Sequence, residues 1–160
     1  MNSQFFVKSG ARYRTATSAE VCEAASSYLM AAASQQRPSL ASPKAAKNFL
    51  RNQAGLEVEQ FGVIYLNSRH HVIKVEILFQ GTIDCANVYP REIVKRTLQE
   101  SAAAVIIFHN HPSGAAEPSG ADELITTRIK EALALIDVRL IDHLIVAADQ
   151  ITSLAERGLI

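Results

Sequence analysis

Hydrophobic and polar positions follow one pattern in the first part of the chain and a different one from Glu57 onward. The first part contains the alanine-rich stretch TSAEVCEAASSYLMAAAS, residues 17–34, which opens with Thr17 and Glu20 at the spacing of a capping box. We therefore expect a helix there, and we assign residues 1–40 to a helical N-terminal arm.

Residues 41–160 are expected to form a single main domain that begins with a short helix. In SPKAAKNFLRNQ, Ser42 precedes Pro43, an order typical of an N-cap followed by the first helical residue. From Glu57 onward, apolar residues recur at every second position in VEQFGVIYLN and VIKVEILFQG. These stretches flank the turn-like NSRHH and predict a β-hairpin, and TIDCANV after them predicts a third strand.

The remaining sequence alternates between helical and extended patterns. YPREIVKRTLQESA and SGADELITTRIKEALALI have the spacing of amphipathic helices, whereas AAAVIIF is continuously apolar, as a buried central strand is. VRLIDHLIVAA predicts another strand, and QITSLAERGLI predicts a short terminal strand or turn. A mixed sheet with helices on its faces predicts a three-layer α/β/α fold.

Composition narrows the classes of protein that fit this pattern. The 160 residues suffice for one domain with a core, and 16 basic and 16 acidic residues give a formal net charge of zero. With no global field to attract phosphate backbones, nucleic-acid binding is expected to be weak. The longest apolar runs are far shorter than the roughly 20 residues of a membrane span, and MNSQFFVKSG lacks the apolar core of an export signal. We expect a cytoplasmic protein with no membrane partner and with free thiols.

The stretch FHNHPSGAAEPSGADE carries the candidate chemistry. His109 and His111 follow the buried strand AAAVIIF, and in extended chain the side chains of residues i and i+2 point to the same side. Asp122 stands eleven positions further on, in the first turn of the next predicted helix. Two imidazoles and one carboxylate would leave one position of a tetrahedral zinc open, as in catalytic rather than structural sites.

Other interpretations of the same residues remain open at this point. Ser119 and Asp122 also have the spacing of a capping box, and a lone H-x-H occurs at many strand ends without a metal. The same ligand set describes the triad of Fe(II) oxygenases. The zinc-protease motif H-E-x-x-H and the P-C-x-x-C of zinc deaminases are both absent from the sequence.

The order of these residues resembles a known motif. H-N-H, seven residues and then S-x-x-D, formed here by His109, His111, Ser119 and Asp122, is similar to the JAMM (MPN+) metalloprotease motif. The longer strings YPREIVKR, AAAVIIFHNHPSG, EPSGAD and DHLIV resemble the RadC family of JAMM-domain proteins, over about residues 42–160. The resemblance implies a JAMM fold of the cytidine deaminase-like type.

The resemblance also implies an activity and a role for each residue. The activity would be hydrolysis of a peptide or isopeptide-like bond in an unidentified protein or peptide, with Zn²⁺ held by the two histidines and the aspartate. Glu59, with Glu57 as its alternative, would accept a proton from water, and Ser119 would donate a hydrogen bond to the oxyanion.

A second function from a different class is a nucleic-acid-associated accessory protein with a structural metal site. Its support is the DNA-repair name of the resembled family and a basic helix face formed by Arg91, Lys95 and Arg96. Residues 1–40 contain no clear helix-hairpin-helix signal, as in the short members of the family. A third possibility is a catalytically silent interaction domain, and the oligomeric state stays open. His143, among apolar neighbours, is expected to be a hydrogen-bonded structural histidine.

Overall fold

The structure, a computed structural model, describes residues 6–9, 12–21, 24, 38–50, 58–81, 88–148 and 150–160. The chain divides into two compact units, residues 1–37 and residues 38–160. Residues 82–87 of the predicted strand TIDCANV and both cysteines lie outside the described residues. Within the described part, no helix is long and apolar enough to cross a membrane.

The N-terminal unit begins with a β-hairpin. Strands β1 (Phe6–Ser9) and β2 (Arg12–Thr15) pair antiparallel in a two-stranded sheet. The prediction that the N-terminal arm is helical is therefore wrong for these residues. The physical reason is local, because Val7, Tyr13 and Thr15 are β-branched or aromatic residues that favour extended backbone.

The predicted helix that follows the hairpin is confirmed at its start. The backbone N–H of Thr17 donates to the Glu20 carboxylate at 2.9 Å, and the Glu20 N–H donates to Thr17 Oγ1 at 3.3 Å. This pair is the capping box expected from the sequence. Residues 18–21 and 24 are helical, and the remainder of the predicted helix lies outside the described residues.

Three helices belong to the second unit. Helix α1 (Pro43–Leu50) begins as expected, because Ser42 Oγ accepts a hydrogen bond from the Ala45 N–H at 3.3 Å. Helices α2 (Pro90–Gln99) and α3 (Gly120–Ala134) correspond to the two amphipathic patterns of the sequence.

The second unit is built on a five-stranded mixed sheet in the order β4-β3-β5-β6-β7. Its strands are β3 (Gln60–Leu66), β4 (Val72–Gln80), β5 (Ala104–Asn110), β6 (Arg139–Val146) and β7 (Ile151–Ser153). Only the β5–β6 pair is parallel; the other neighbours in this sheet are antiparallel. The predicted hairpin, central strand and terminal strand are all present.

Helices cover both faces of this sheet, which confirms the predicted α/β/α layers. Ala46 and Leu50 of α1 pack on one face, in a core that also contains Leu40, Ile64, Leu66, Val72, Ile106, Phe108, Leu144 and Val146. Helices α2 and α3 pack on the other face, where Ile93, Ile129 and Leu133 meet Phe61, Val63, Tyr65, Val105, Ile107 and Leu140. Every residue of β5 is buried, which explains its continuous apolar run.

Successive side chains of β5 point to opposite faces of the sheet, and this alternation determines the face to which each residue at its end points. Val105 and Ile107 contribute to the core under α2 and α3, so His109 points to the same face. Asn110, one residue on, points to the opposite face. Since α3 connects the parallel strands β5 and β6, its first turn lies near the end of β5 that carries His109.

Gly62 allows β3 to lie against a large ring on β5. Gly62 and Phe108 are register partners, and a Cβ added to Gly62 would be 2.3 Å from Phe108 Cζ. We expect Gly62→Ala to lower the free energy of unfolding by about 1–3 kcal/mol, as overpacking does. Urea denaturation measures this. Gly120→Ala, whose Cβ would meet nothing within 4 Å, is the control and should cause no such loss.

Phe108→Leu should make the same change at Gly62 better tolerated, because it shortens the side chain that the new methyl group meets. If the losses from Gly62→Ala and Phe108→Leu simply add, the close approach is not the reason for the glycine.

Candidate metal centre

Three side chains with metal-binding atoms converge at the end of β5. The Nε2 atoms of His109 and His111 are 2.8 Å apart, and His109 Nε2 is 3.2 Å from Asp122 Oδ1. One ligand atom from each of the three residues lies within 4.8 Å of the other two. The structure thus brings together the three residues proposed as ligands from their spacing.

These residues fit a divalent cation. In a tetrahedral site with bonds of about 2.0–2.1 Å, ligand atoms are roughly 3.3 Å apart, and the two shortest contacts here are 2.8 and 3.2 Å. Two imidazoles and a carboxylate are a donor set of catalytic zinc sites, which keep a further position open. The His109 side chain is 1% exposed and that of His111 18%, so the cluster opens to solvent on the His111 side.

The N-cap of α3 holds the Asp122 carboxylate in place. Ser119 Oγ accepts from the Asp122 N–H at 3.2 Å, while Asp122 Oδ2 accepts from the Ser119 N–H at 2.7 Å and from its hydroxyl at 2.6 Å. The predicted capping box is therefore present. It engages Oδ2 and leaves Oδ1 directed at His109, so capping and metal binding are compatible uses of one carboxylate.

Opposing effects act on the charge of this carboxylate. Burial raises the pKa of Asp122, but the adjacent imidazoles of His109 and His111 and the hydrogen bond from Ser119 outweigh burial and hold that pKa well below its usual range. The nearby carboxylate of Asp122 in turn raises the pKa of His111, against the effect of burial. Asp122 is therefore an anion in the folded protein, as a metal ligand must be.

The remote nitrogen of His111 has a partner that fixes the orientation of its ring. His111 Nδ1 lies 2.6 Å from the backbone oxygen of Ala115. A carbonyl only accepts, so Nδ1 carries the proton and the Nε2 lone pair faces the cluster. The His111 backbone N–H donates to the Val146 carbonyl, which continues the pairing of β5 with β6 beyond the end of the strand.

His143 lies on the buried side of the cluster, next to His109. Its Nε2 is 2.8 Å from His109 Nδ1, and its Nδ1 is 2.6 Å from Thr126 Oγ1. The ring is completely buried, and this burial lowers the pKa of His143 well below the usual value. The prediction of a hydrogen-bonded structural histidine is confirmed. Sequence reasoning missed Thr126, although its position one helical turn after Asp122 places both on one face of α3.

Asn110 fixes the backbone on both sides of Glu59. Asn110 Oδ1 accepts from the Gln60 N–H at 2.8 Å, and its side-chain amide donates to the Val58 carbonyl at 3.1 Å. The Glu59 carbonyl accepts from the Gly81 N–H at 2.9 Å. The segment that carries Glu59 is thereby tied to the end of β5 and to the end of β4.

Glu59 is brought to the same edge of the sheet as the histidines. Phe61, two residues after Glu59, is the register partner of His109 in the antiparallel β3–β5 pair. The charge of Glu59 also contributes to the raised pKa of His111, which places the carboxylate in the neighbourhood of the cluster. Its rival Glu57 lies outside the described residues.

The basic helix face considered for nucleic acid has acidic neighbours. Arg91 and Lys95 lie 3.6 and 3.9 Å from the Glu92 carboxylate, and Arg96 lies 4.0 Å from that of Glu76. These exposed contacts are weak individually, but they partly neutralise the positive charge on this face. The structure adds no observation in favour of a nucleic-acid surface here.

Comparison with known proteins shows which sequences this chain is similar to. The model of the RadC-like JAB domain matches residues 40–159. A UPF0758 protein of Leptothrix cholodnii is 52% identical over 126 residues, which cover 78% of this chain and 57% of the relative. UPF0758 proteins of Azotobacter vinelandii and Pseudoalteromonas translucida are 52% and 55% identical, over 76% and 74% of this chain and 54% of each relative. The chain thus spans little more than half the length of these relatives.

Loss of the Asn110 amide should loosen the segment that carries Glu59. We expect Asn110→Ala to lower the free energy of unfolding by about 1–3 kcal/mol, because it removes a buried hydrogen-bonding group from two backbone partners. In hydrogen exchange, the Gln60 amide should lose protection, since its acceptor is the Asn110 side chain. The Val63 amide, in the middle of β3, serves as the internal control. Unchanged exchange at Gln60 would contradict this role of Asn110.

Proposed function

Because the chain belongs to the family of RadC-like JAB domains, we propose that it is a zinc-dependent hydrolase of the JAMM type that cleaves a peptide or isopeptide-like bond. The observation that carries the proposal is the convergence of His109, His111 and Asp122 on one point, with their ligand atoms within 4.8 Å of one another. A carboxylate ligand, two oriented imidazoles and a nearby Glu59 together match the requirements of hydrolysis by an activated water.

The ligands have complementary roles in this proposal. All three side chains would hold the metal, and His111, the most exposed of the three, borders the side from which a substrate would approach. Bound by these three side chains, Zn²⁺ would supply a water molecule of lowered pKa and would polarise the carbonyl of the scissile bond.

Glu59 is the proposed general base. It takes a proton from the attacking water and passes it to the nitrogen of the leaving amine, which would otherwise be a poor leaving group. The hydrogen bonds of Asn110 to the residues on either side of Glu59 keep its backbone at the edge of the cluster. This position suits a base that must lie within hydrogen-bonding distance of the water but does not bind the metal.

Ser119 is the proposed donor to the oxyanion of the tetrahedral intermediate. Its hydroxyl bonds to Asp122 Oδ2 at 2.6 Å, and its backbone N–H donates to the same oxygen at 2.7 Å. Since the N–H keeps Oδ2 in place by itself, the hydroxyl proton is able to turn toward the substrate without releasing the carboxylate. One donor of this kind contributes about 10²–10³ in rate.

Zinc binding is the first test of this proposal. We expect His111→Ala and Asp122→Asn each to weaken zinc binding by more than the roughly 10–100-fold typical of losing an outer-shell partner, because only two of three ligands remain intact. Isothermal titration with Zn²⁺ and metal analysis of the purified protein measure this. His71→Ala, at a histidine outside the cluster, should bind zinc as the unaltered chain does. Full zinc occupancy in both ligand variants would contradict the assignment of these residues as ligands.

The general base is tested separately from the metal. Glu59→Gln should retain zinc but lose about 10²–10⁴-fold in rate, because the amide cannot take the proton. Cleavage of a diverse peptide library, followed by mass spectrometry, measures the rate without a known substrate. Glu57→Gln tests the alternative base, and Glu117→Gln, at an exposed carboxylate paired with Arg157, is the control. A Glu59→Gln protein that cleaves normally would rule out this role.

A further inference from the structure

We propose that Thr126 and His143 are positioning residues that fix the tautomer of His109 and so keep its Nε2 lone pair directed at the metal cluster. The proposal rests on the metal-binding part of the function proposed above. It follows from a chain of three short hydrogen bonds that runs from the backbone of α3 through both rings to the ligand atom.

The direction of this chain is set by the Thr126 hydroxyl. Thr126 Oγ1 is 2.5 Å from the backbone oxygen of Asp122 and 2.6 Å from His143 Nδ1. The carbonyl oxygen has no proton to give, so a contact this short requires the single hydroxyl proton to lie between the two oxygens. Thr126 therefore accepts from His143, and His143 Nδ1 carries a proton.

His143 then has one way to bond to His109. The ring is completely buried, and no acidic side chain is hydrogen-bonded to it among the described residues, so the neutral form is favoured. A neutral imidazole with its proton on Nδ1 has a lone pair on Nε2. That lone pair lies 2.8 Å from His109 Nδ1 and accepts the proton of that nitrogen.

The hydrogen bond between His143 and His109 determines which nitrogen of His109 has a lone pair for a metal ion. A neutral imidazole with its proton on Nδ1 has its lone pair on Nε2, and in His109 this nitrogen points at His111 and Asp122. If these hydrogen bonds ran in the opposite direction, Nε2 of His109 would carry a hydrogen, which would block a metal ion. Partners that fix the tautomer of a ligand histidine are commonly carboxylates or backbone carbonyls. Here a second histidine and a threonine fill that role.

The same hydroxyl also links two of the proposed ligands. Thr126 is bonded to the backbone oxygen of Asp122 on one side and, through His143, to the ring of His109 on the other. A shift of the first turn of α3 would therefore disturb both ligands together. This coupling distinguishes Thr126 from Thr127, whose hydroxyl bonds only to the exposed backbone oxygen of Glu123 at 3.0 Å.

Zinc affinity of threonine variants tests the proposal. Thr126→Val keeps the shape of the side chain but removes the acceptor, and we expect it to bind Zn²⁺ about 10–100-fold more weakly than the unaltered chain. Thr126→Ser restores the hydroxyl and should restore the affinity. Thr127→Val is the matched control on the same helix and should bind normally. Thermal unfolding of the metal-free proteins checks that all three variants are folded.

A second measurement reports the tautomer directly. In long-range ¹H–¹⁵N spectra of the metal-free protein, His109 should show a protonated Nδ1 and an unprotonated Nε2, and Thr126→Val should shift population toward protonated Nε2. Protonated Nε2 in the unaltered chain, or undiminished zinc binding by Thr126→Val, would overturn the proposal, as would failure of Thr126→Ser to restore binding. If the unaltered chain shows the expected tautomer but binds no zinc, the proposed function fails, and only the assignment of the His109 tautomer stands.

Discussion

The capping box at the start of α3 is the interaction on which the candidate site depends. A helix N-terminus presents N–H groups that need acceptors, and here the Ser119 hydroxyl and the Asp122 carboxylate supply them reciprocally. These hydrogen bonds hold Oδ2 of Asp122 in place and leave Oδ1 directed at His109. The positive end of the helix dipole further favours an anion at this place. A half-buried negative charge is thus maintained by the geometry of the helix before any metal is considered.

The sheet topology explains why distant parts of the sequence meet at this cap. Strand β5 ends at the histidines, and α3 returns the chain to the parallel strand β6, whose His143 lies behind His109. Strand β3 runs antiparallel to β5, so its first residues lie beside the last residues of β5. Glu59 therefore arrives at the same edge without any sequence proximity to the H-N-H pattern.

The sequence predicted those features that depend on local spacing. A continuously apolar run predicted β5, S-P predicted the start of α1, and S-x-x-D predicted the cap of α3. The β1–β2 hairpin was missed because strands this short are stabilised by pairing with each other rather than by a long periodic pattern. The hydrogen bonds of Asn110 to Gln60 and of Thr126 to His143 were missed for a related reason: these partners are distant in the sequence, and only the tertiary fold brings them together.

Preorganisation explains how an H-x-H pattern, weak as a sequence signal, forms a specific site. Each imidazole has its remote nitrogen bonded inside the protein, His111 to a backbone carbonyl and His109 to His143. Folding therefore brings two Nε2 lone pairs to within 2.8 Å, beside an anionic oxygen. Three electron-rich atoms held this close repel one another unless positive charge lies between them. A single proton relieves one such contact, whereas a divalent cation interacts with all three ligand atoms at once. The hydrogen bonds behind these side chains thus shape a cluster that is suited to binding a metal ion.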